Sequence, residues 1–175
     1  MNKKIIENIK YYHDLPYYYK DVCYSKVRYY LQTYVNTTYS PSKITDNIYI
    51  SDFPSACNKD KLKEDGITHI LCAILGLDPI FPDDFSYKNI HVRDVNHENL
   101  NKYFDESVDF IDSVVKSGGK VLVHCSYGVS RSASIVIAYL IKKHNLSYDE
   151  AYEYVKNRRD IIEPNSGFKE QLKNF

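Results

Sequence analysis

Residues 124 to 132, HCSYGVSRS, bring a thiol (Cys125), a glycine (Gly128), a guanidinium (Arg131) and four hydroxyls into nine consecutive positions. A thiol is a nucleophile only as the thiolate. A helix N-terminus with neighbouring positive charge can lower its pKa from about 8.5 to between about 3.5 and 7.5. A fall of about 2–3 units corresponds to roughly 3–4 kcal/mol in favour of the anion. The backbone N–H groups of Ser126, Tyr127, Gly128, Val129, Ser130 and Arg131 can wrap inward as an anion nest backed by a helix dipole. Gly128 suits a position of positive φ, or one with no room for a side chain. Arg131 adds a planar fork matched to two oxygens of a phosphate. The chemistry implied is capture of a tetrahedral dianion over a cysteine nucleophile.

Such a loop needs a strand to end at the cysteine and a helix to begin at the arginine, and the flanks supply both. Lys120 to His124 is a strand-like apolar run, and Ser130 to His144 is apolar nearly all round, which predicts a helix buried on most sides. Ligands of open α/β sheets bind beyond the carboxyl ends of the strands, where this loop falls. Elsewhere, KITDNIYIS (43–51) predicts one or two short strands around an Asp-Asn turn, and Lys59 to Asp65 predicts a polar helix ended by Gly66. His69 to Leu75 and Asn89 to Val95 read as further strands. Phe104, Val108, Ile111 and Val115 form one helical face over about 100–117, stopped by Gly118-Gly119. Ser147 with Glu150 marks a capping box for a helix to about Arg159, and a last short helix follows Pro164, over 167–175. Strands interleaved with helices predict an α/β domain with a largely parallel central sheet flanked by helices.

The chain of 175 residues has a formal net charge of zero, so nothing global points to nucleic acid or an anionic membrane. MNKKIIENIKYYH lacks the continuous apolar region of a secretory leader, and Ala133 to Ile141 is too short to cross a bilayer. The four cysteines, Cys23, Cys57, Cys72 and Cys125, show no C-x-x-C pairing, so free thiols in a reducing cytoplasm or nucleus are expected. The six histidines form no ligand-spaced pair with a carboxylate, and neither a metal nor a cofactor is expected. Ten of the eighteen tyrosines lie in the first forty residues. There, helical spacing of Val27, Tyr30-Leu31 and Tyr34-Val35 predicts a helix over about 22–35.

His-Cys-x-x-Gly-x-x-Arg-Ser resembles the signature of cysteine-dependent protein tyrosine phosphatases, and VLVHC with GVSRS is most similar to the dual-specificity branch. The resemblance continues through KITDNIYIS, GITHIL (66–71), Tyr103-Phe104, Phe110-Ile111-Asp112, Ala138-Tyr139-Leu140, Pro164-Asn165, Gly167-Phe168 and Gln171-Leu172. It covers residues 42–175 as a catalytic domain of protein tyrosine phosphatase-like fold and leaves 1–41 as a tyrosine-rich extension. That extension is expected to be a packing or homodimerising helix, with a docking arm or disorder as alternatives.

The resemblance implies two-step hydrolysis of phosphate monoesters through a cysteinyl-phosphate. Cys125 would be the nucleophile, and Arg131 with the amides of residues 126–131 would hold the phosphate. It implies that Ser132 hydrogen-bonds the sulfur, although a first-turn helix hydroxyl would look the same. His124 would orient the loop, or be a satisfied buried histidine. The family's general acid is an Asp upstream of the cysteine, which Asp94, 31 residues before Cys125, matches through the frame running from Asp94 through Leu100 to Tyr103-Phe104. Asp83, Asp84 and Glu98 are the alternatives. Asn165 would brace the phosphate loop or cap a helix. Phosphorylated proteins are the implied partners, with neither nucleic acid nor membrane. The absence of the aromatic-walled recognition loop of tyrosine-specific relatives implies a shallow pocket accepting phosphotyrosine and phosphoserine or phosphothreonine. Inositide phosphatases of the superfamily often carry lysines inside the loop, and its RNA 5′-triphosphatases typically show Asn-Arg-Thr where this chain has Ser130-Arg131-Ser132. These, and a catalytically dead phosphate-binding module, are the alternative readings.

Overall fold

β5 (Val121–His124) is buried at all four positions, as a parallel strand covered on both faces must be. It pairs in parallel with β2 (Ile48–Ser51) on one side and with β3 (His69–Ala73) on the other. β3 pairs in parallel with the edge strand β4 (Ser86–Ile90), and the two-residue β1 (Ser42–Lys43) runs antiparallel to β2 at the opposite edge. The sheet order is therefore β1-β2-β5-β3-β4. This computed structural model describes residues 38–175, so the helix expected over 22–35 and any dimer contact it would make lie outside the described residues.

Side-chain alternation divides the core between the two faces of the sheet. Ile48, Ile50, Leu71, Ala73, Val121 and Val123 join the larger cluster, whereas Ile70 and Leu122 join a smaller one with Leu62, Ile67 and Phe85. α1 (Phe53–Ala56) and α2 (Lys59–Glu64) contribute Ala56 and Leu62 to the smaller cluster, on which Tyr39 and Tyr49 also pack. Tyr39 Oη donates to Asp65 at 2.6 Å and the Ser40 amide to Ser55 Oγ at 3.0 Å, tying the chain before β1 to the domain. The larger cluster is filled by α3 (Phe104–Lys116), α4 (Arg131–His144), α5 (Tyr148–Lys156) and α6 (Ser166–Lys173). α4 is buried at every position from Arg131 to Leu140, as expected of a helix apolar nearly all round.

Four elements differ from expectation. The strand predicted over 89–95 lies at 86–90, because β4 has only β3 to pair with and the register closes at Ala73 with Ile90. Val114 joins Phe104, Val108 and Ile111 on the buried side of α3, while Val115, next to the end of the helix, packs against the core only partly buried. α5 ends at Lys156, three residues early, where the chain tightens: the Arg158 amide donates to Val155 O at 3.0 Å. α1 was not anticipated, although Asp52 caps it by accepting from the Ser55 amide at 2.9 Å and Pro54 sits in its first turn.

The capping box is fully formed: Ser147 Oγ accepts from the Glu150 amide at 3.3 Å, and Glu150 Oε2 accepts from the Ser147 amide at 2.8 Å. Ser147→Ala should cost about 1 kcal/mol of unfolding free energy, read by denaturant titration, with catalytic rate unchanged. A loss below about 0.3 kcal/mol would show that the cap does not set the stability of α5.

Candidate active site

β5 delivers Cys125 at its carboxyl end, and α4 starts six residues later at Arg131. The loop between them is oriented through its carbonyls. Ser126 O accepts from the Phe53 amide at 3.3 Å, Gly128 O from Arg159 Nε at 2.7 Å and Val129 O from the Glu163 amide at 2.9 Å. In a trans peptide the C=O and the following N–H point opposite ways. Turning these three carbonyls outward directs the N–H groups of Tyr127, Val129 and Ser130 to the other side, toward the cysteine. The Gly128 amide donates to Cys125 Sγ at 3.3 Å. Gly128 has φ +68°, and a Cβ there would lie 2.7 Å from Ser51 O and 2.6 Å from Arg159 Nη2, so both reasons for a glycine hold.

Cys125 is 1% exposed. Burial alone pushes its thiol up, but the Arg131 charge, the Ser132 hydroxyl and the amides of Ser132 and Tyr127 outweigh it, and the net shift is downward. Cys57 and Cys72 lack the Ser132 hydroxyl and the loop amides, and although the Arg131 charge reaches Cys72, burial drives both up to about 12. The Ser132 hydroxyl lies 3.3 Å from Sγ and is fully buried, so it faces the sulfur; the N-cap of α4, Ser130, makes no side-chain cap bond either. His124 is buried against Phe53, ring centroids 6.2 Å apart, and burial, opposed by a hydrogen bond with the Cys125 backbone, lowers its pKa to about 4. The imidazole is therefore neutral at pH 7, with Nδ1 lacking a hydrogen bond among the described residues.

Arg131 is 6% exposed; Nη1 donates to Val92 O at 3.3 Å and Nη2 to Ser126 Oγ at 2.9 Å. Its buried Nε makes no hydrogen bond among the described residues and lies 3.4 Å from Asp94 Oδ2. Asp94, four residues beyond the end of β4, reaches the same loop: Oδ1 accepts from Ser130 Oγ at 2.7 Å and from Asn165 Nδ2 at 2.9 Å. Asn165 also caps α6, its Oδ1 accepting from the Phe168 amide at 3.0 Å, and it is its backbone amide, not its side chain, that donates to the loop, at Ser130 Oγ (3.2 Å). The other carboxylates are engaged elsewhere: Asp84 with Lys59 and Lys63, and Glu98 with Arg93; Asp83 is exposed. Tyr127 stands 56% exposed beside this site.

The sequence reading missed Arg159. Its guanidinium is 6% exposed and, besides Gly128 O, donates to Ser42 Oγ at 3.0 Å and Ser40 O at 3.2 Å, joining the loop to the sheet edge. The signal was available: Ala151, Val155 and Arg159 recur at intervals of four on the buried side of α5 and its continuation. Among the described residues no group of three or more His, Cys, Asp or Glu is placed to hold a metal, and no helix is long and apolar enough to cross a membrane.

Residues 48–175 match the model of the dual specificity phosphatase catalytic domain. The chain is 47% identical over 135 residues to dual specificity protein phosphatase 1 of Arabidopsis thaliana, covering 77% of this chain and 68% of that protein. It is 48% identical over 134 residues to dual specificity protein phosphatase 1B of the same plant, covering 77% and 80%. Among solved structures, the human tyrosine phosphatase-like serine/threonine/tyrosine-interacting protein superposes with a TM-score of 0.75 at 35% identity, covering 78% of this chain and 95% of that one. With its sulfur seated among inward amides at the end of a parallel strand, the chain belongs to the dual-specificity branch of the protein tyrosine phosphatase superfamily.

Proposed function

We propose that Cys125 is the nucleophile through which this protein phosphatase hydrolyses phosphotyrosine and phosphoserine or phosphothreonine in its phosphoprotein substrates. The observation that carries the assignment is the contrast among the described thiols: only Cys125 is shifted down, and only it receives a loop amide and the Ser132 hydroxyl.

In the first step Sγ of the Cys125 thiolate bonds to phosphorus as the ester P–O bond breaks. The departing oxygen takes the proton of the Asp94 carboxyl. Arg131 and the amides of residues 126–131 hold the non-bridging oxygens, where transition-state charge concentrates. The buried, unbonded Nε of Arg131 is suited to a phosphate oxygen. In the second step Asp94, now a carboxylate, takes a proton from water as its oxygen bonds to phosphorus and the P–S bond breaks. The Ser132 hydroxyl stabilises the departing sulfur anion. His124, being neutral, supports the loop by packing rather than by charge. Ser130 and Asn165 hold Asp94 over the loop. This chemistry requires no metal or cofactor.

Residues 42–175 are the catalytic unit in this reading and 1–41 an extension through which two copies could pair. The unpaired Cys57, Cys72 and Cys125 support a reducing compartment, cytoplasm or nucleus. Neither nucleic acid nor membrane is invoked as a partner, in keeping with zero net charge.

Cys125→Ser should abolish turnover of an aryl phosphate yet retain vanadate or phosphate binding by calorimetry; retained turnover refutes the nucleophile. Wild-type activity should be lost to vanadate and indifferent to EDTA. Phosphopeptides should be hydrolysed in preference to phosphoinositides and triphosphorylated RNA.

The depressed thiol sets a pH dependence. Iodoacetamide should alkylate Cys125 with a midpoint below the free-thiol value of about 8.5, while Cys57 and Cys72 stay unreactive at that pH. Arg131→Lys and Ser132→Ala should move the midpoint up. A midpoint at the free-thiol value in the wild-type protein would remove the electrostatic basis of the mechanism. Asp94→Asn should lower kcat for phenyl phosphate by about 100- to 10,000-fold and abolish the limb of the pH profile that reports the protonated acid. An unchanged profile would place the acid elsewhere.

A further inference from the structure

The segment carrying Asp94 is seated on α6 at three levels. Asn165, the helix cap, donates to the Asp94 side chain at 2.9 Å. Six residues on, Gln171 grips the far end of the segment: Oε1 accepts from the Leu100 and Asn101 amides, both at 2.8 Å, and Nε2 donates to Glu98 O at 2.9 Å. Between them Gly167 meets the backbone of Asn96 so closely that a Cβ there would fall 1.8 Å from Asn96 O and 2.7 Å from its carbonyl carbon.

Gly167 is not among the residues with positive φ, so backbone freedom does not explain it. Alanine is the better helix former and would be favoured here on propensity alone. Its side of the helix is taken by the Asn96 carbonyl instead. Gln171 likewise contributes nothing to the apolar side of α6, which is formed by the buried Phe168 and Leu172.

We propose that Gly167 and Gln171 are positioning residues for proton transfer, fixing the height of the 94–101 segment over the phosphate loop and so the place of the Asp94 carboxyl relative to the leaving oxygen. Neither contacts the substrate. The inference rests on the reading of Asp94 as the general acid. Real Cβ atoms do not approach within 3.0 Å, so a methyl at 167 must displace Asn96 O by about 1.2 Å. A misplacement of about 1 Å can cost about 100-fold in rate.

The test is a series of aryl phosphates graded in leaving-group acidity, assayed with the full chain as wild type, Gly167→Ala, Gln171→Met, Gln171→Glu and Asp94→Asn. Gly167→Ala and Gln171→Met should lower kcat/KM for phenyl phosphate by about 10- to 100-fold, yet for the most acidic nitrophenols by no more than about threefold. The vanadate inhibition constant and the alkylation midpoint of Cys125 should stay at wild-type values. Gln171→Glu keeps an acceptor for the Leu100 and Asn101 amides and should recover part of the loss. Equal losses across the series, or none in either variant, overturn the positioning role. If Asp94→Asn steepens the leaving-group dependence and the α6 variants do not, the acid assignment stands and this inference falls. If Asp94→Asn fails to steepen it, the acid assignment fails first and this inference with it.

Discussion

A buried sulfur whose ionisation is opposed by burial and favoured by a guanidinium, a hydroxyl and oriented N–H dipoles is the interaction on which the rest of the molecule depends. The comparison is internal. Burial sends Cys57 and Cys72 up to about 12, whereas Cys125, no less buried, is brought below the ordinary thiol value. The field around Cys125 therefore more than offsets the effect of its burial. One guanidinium, one hydroxyl and a few amides produce it because the site is nearly dry, where each dipole acts almost unscreened.

Amides exert that field only if they stay turned inward, and the architecture that turns them lies outside the loop. Phe53 from α1 and Glu163 each bind one carbonyl on the loop's outer side, and Arg159 beyond α5 binds two, Gly128 O and Tyr127 O. The loop is thus suspended from three separate segments, which leaves its inner surface free of backbone acceptors. Asp94 is mounted differently, on a segment that β4 releases after Ile90 and α6 receives. Cys125 and Asp94 stand on separate frames that meet at Ser130, whose hydroxyl donates to Asp94 and accepts from the Asn165 amide.

How much of this was legible in the sequence depended on how local the cause was. HCSYGVSRS between an apolar strand and an apolar helix carries its own explanation, and the structure brings Cys125, Gly128, Arg131 and Ser132 together as their spacing implies. The capping box at Ser147 and the stop at Gly118-Gly119 are local in the same sense. Asp94 was found only through a resemblance, because its partners Ser130 and Asn165 lie 36 and 71 residues away and no periodicity links them. The extent of β4 was misjudged because apolar alternation persists in the sequence after the pairing strand has ended. Arg159 was passed over for a physical reason: a charged side chain is ordinarily assigned to the surface, and what buries this one is a set of carbonyls that only the tertiary structure provides.

The placement of His124 carries a cost in acid. In the folded chain its imidazole binds a proton only near pH 4, whereas in the unfolded chain it does so from about 6.5. Between those values the unfolded state holds the extra proton, so acidification draws the equilibrium toward unfolding, by up to about 3 kcal/mol at the lower end. A ring kept dry beside the Cys125 sulfur thus makes the domain tolerant of alkali at that position and progressively fragile in mildly acidic surroundings.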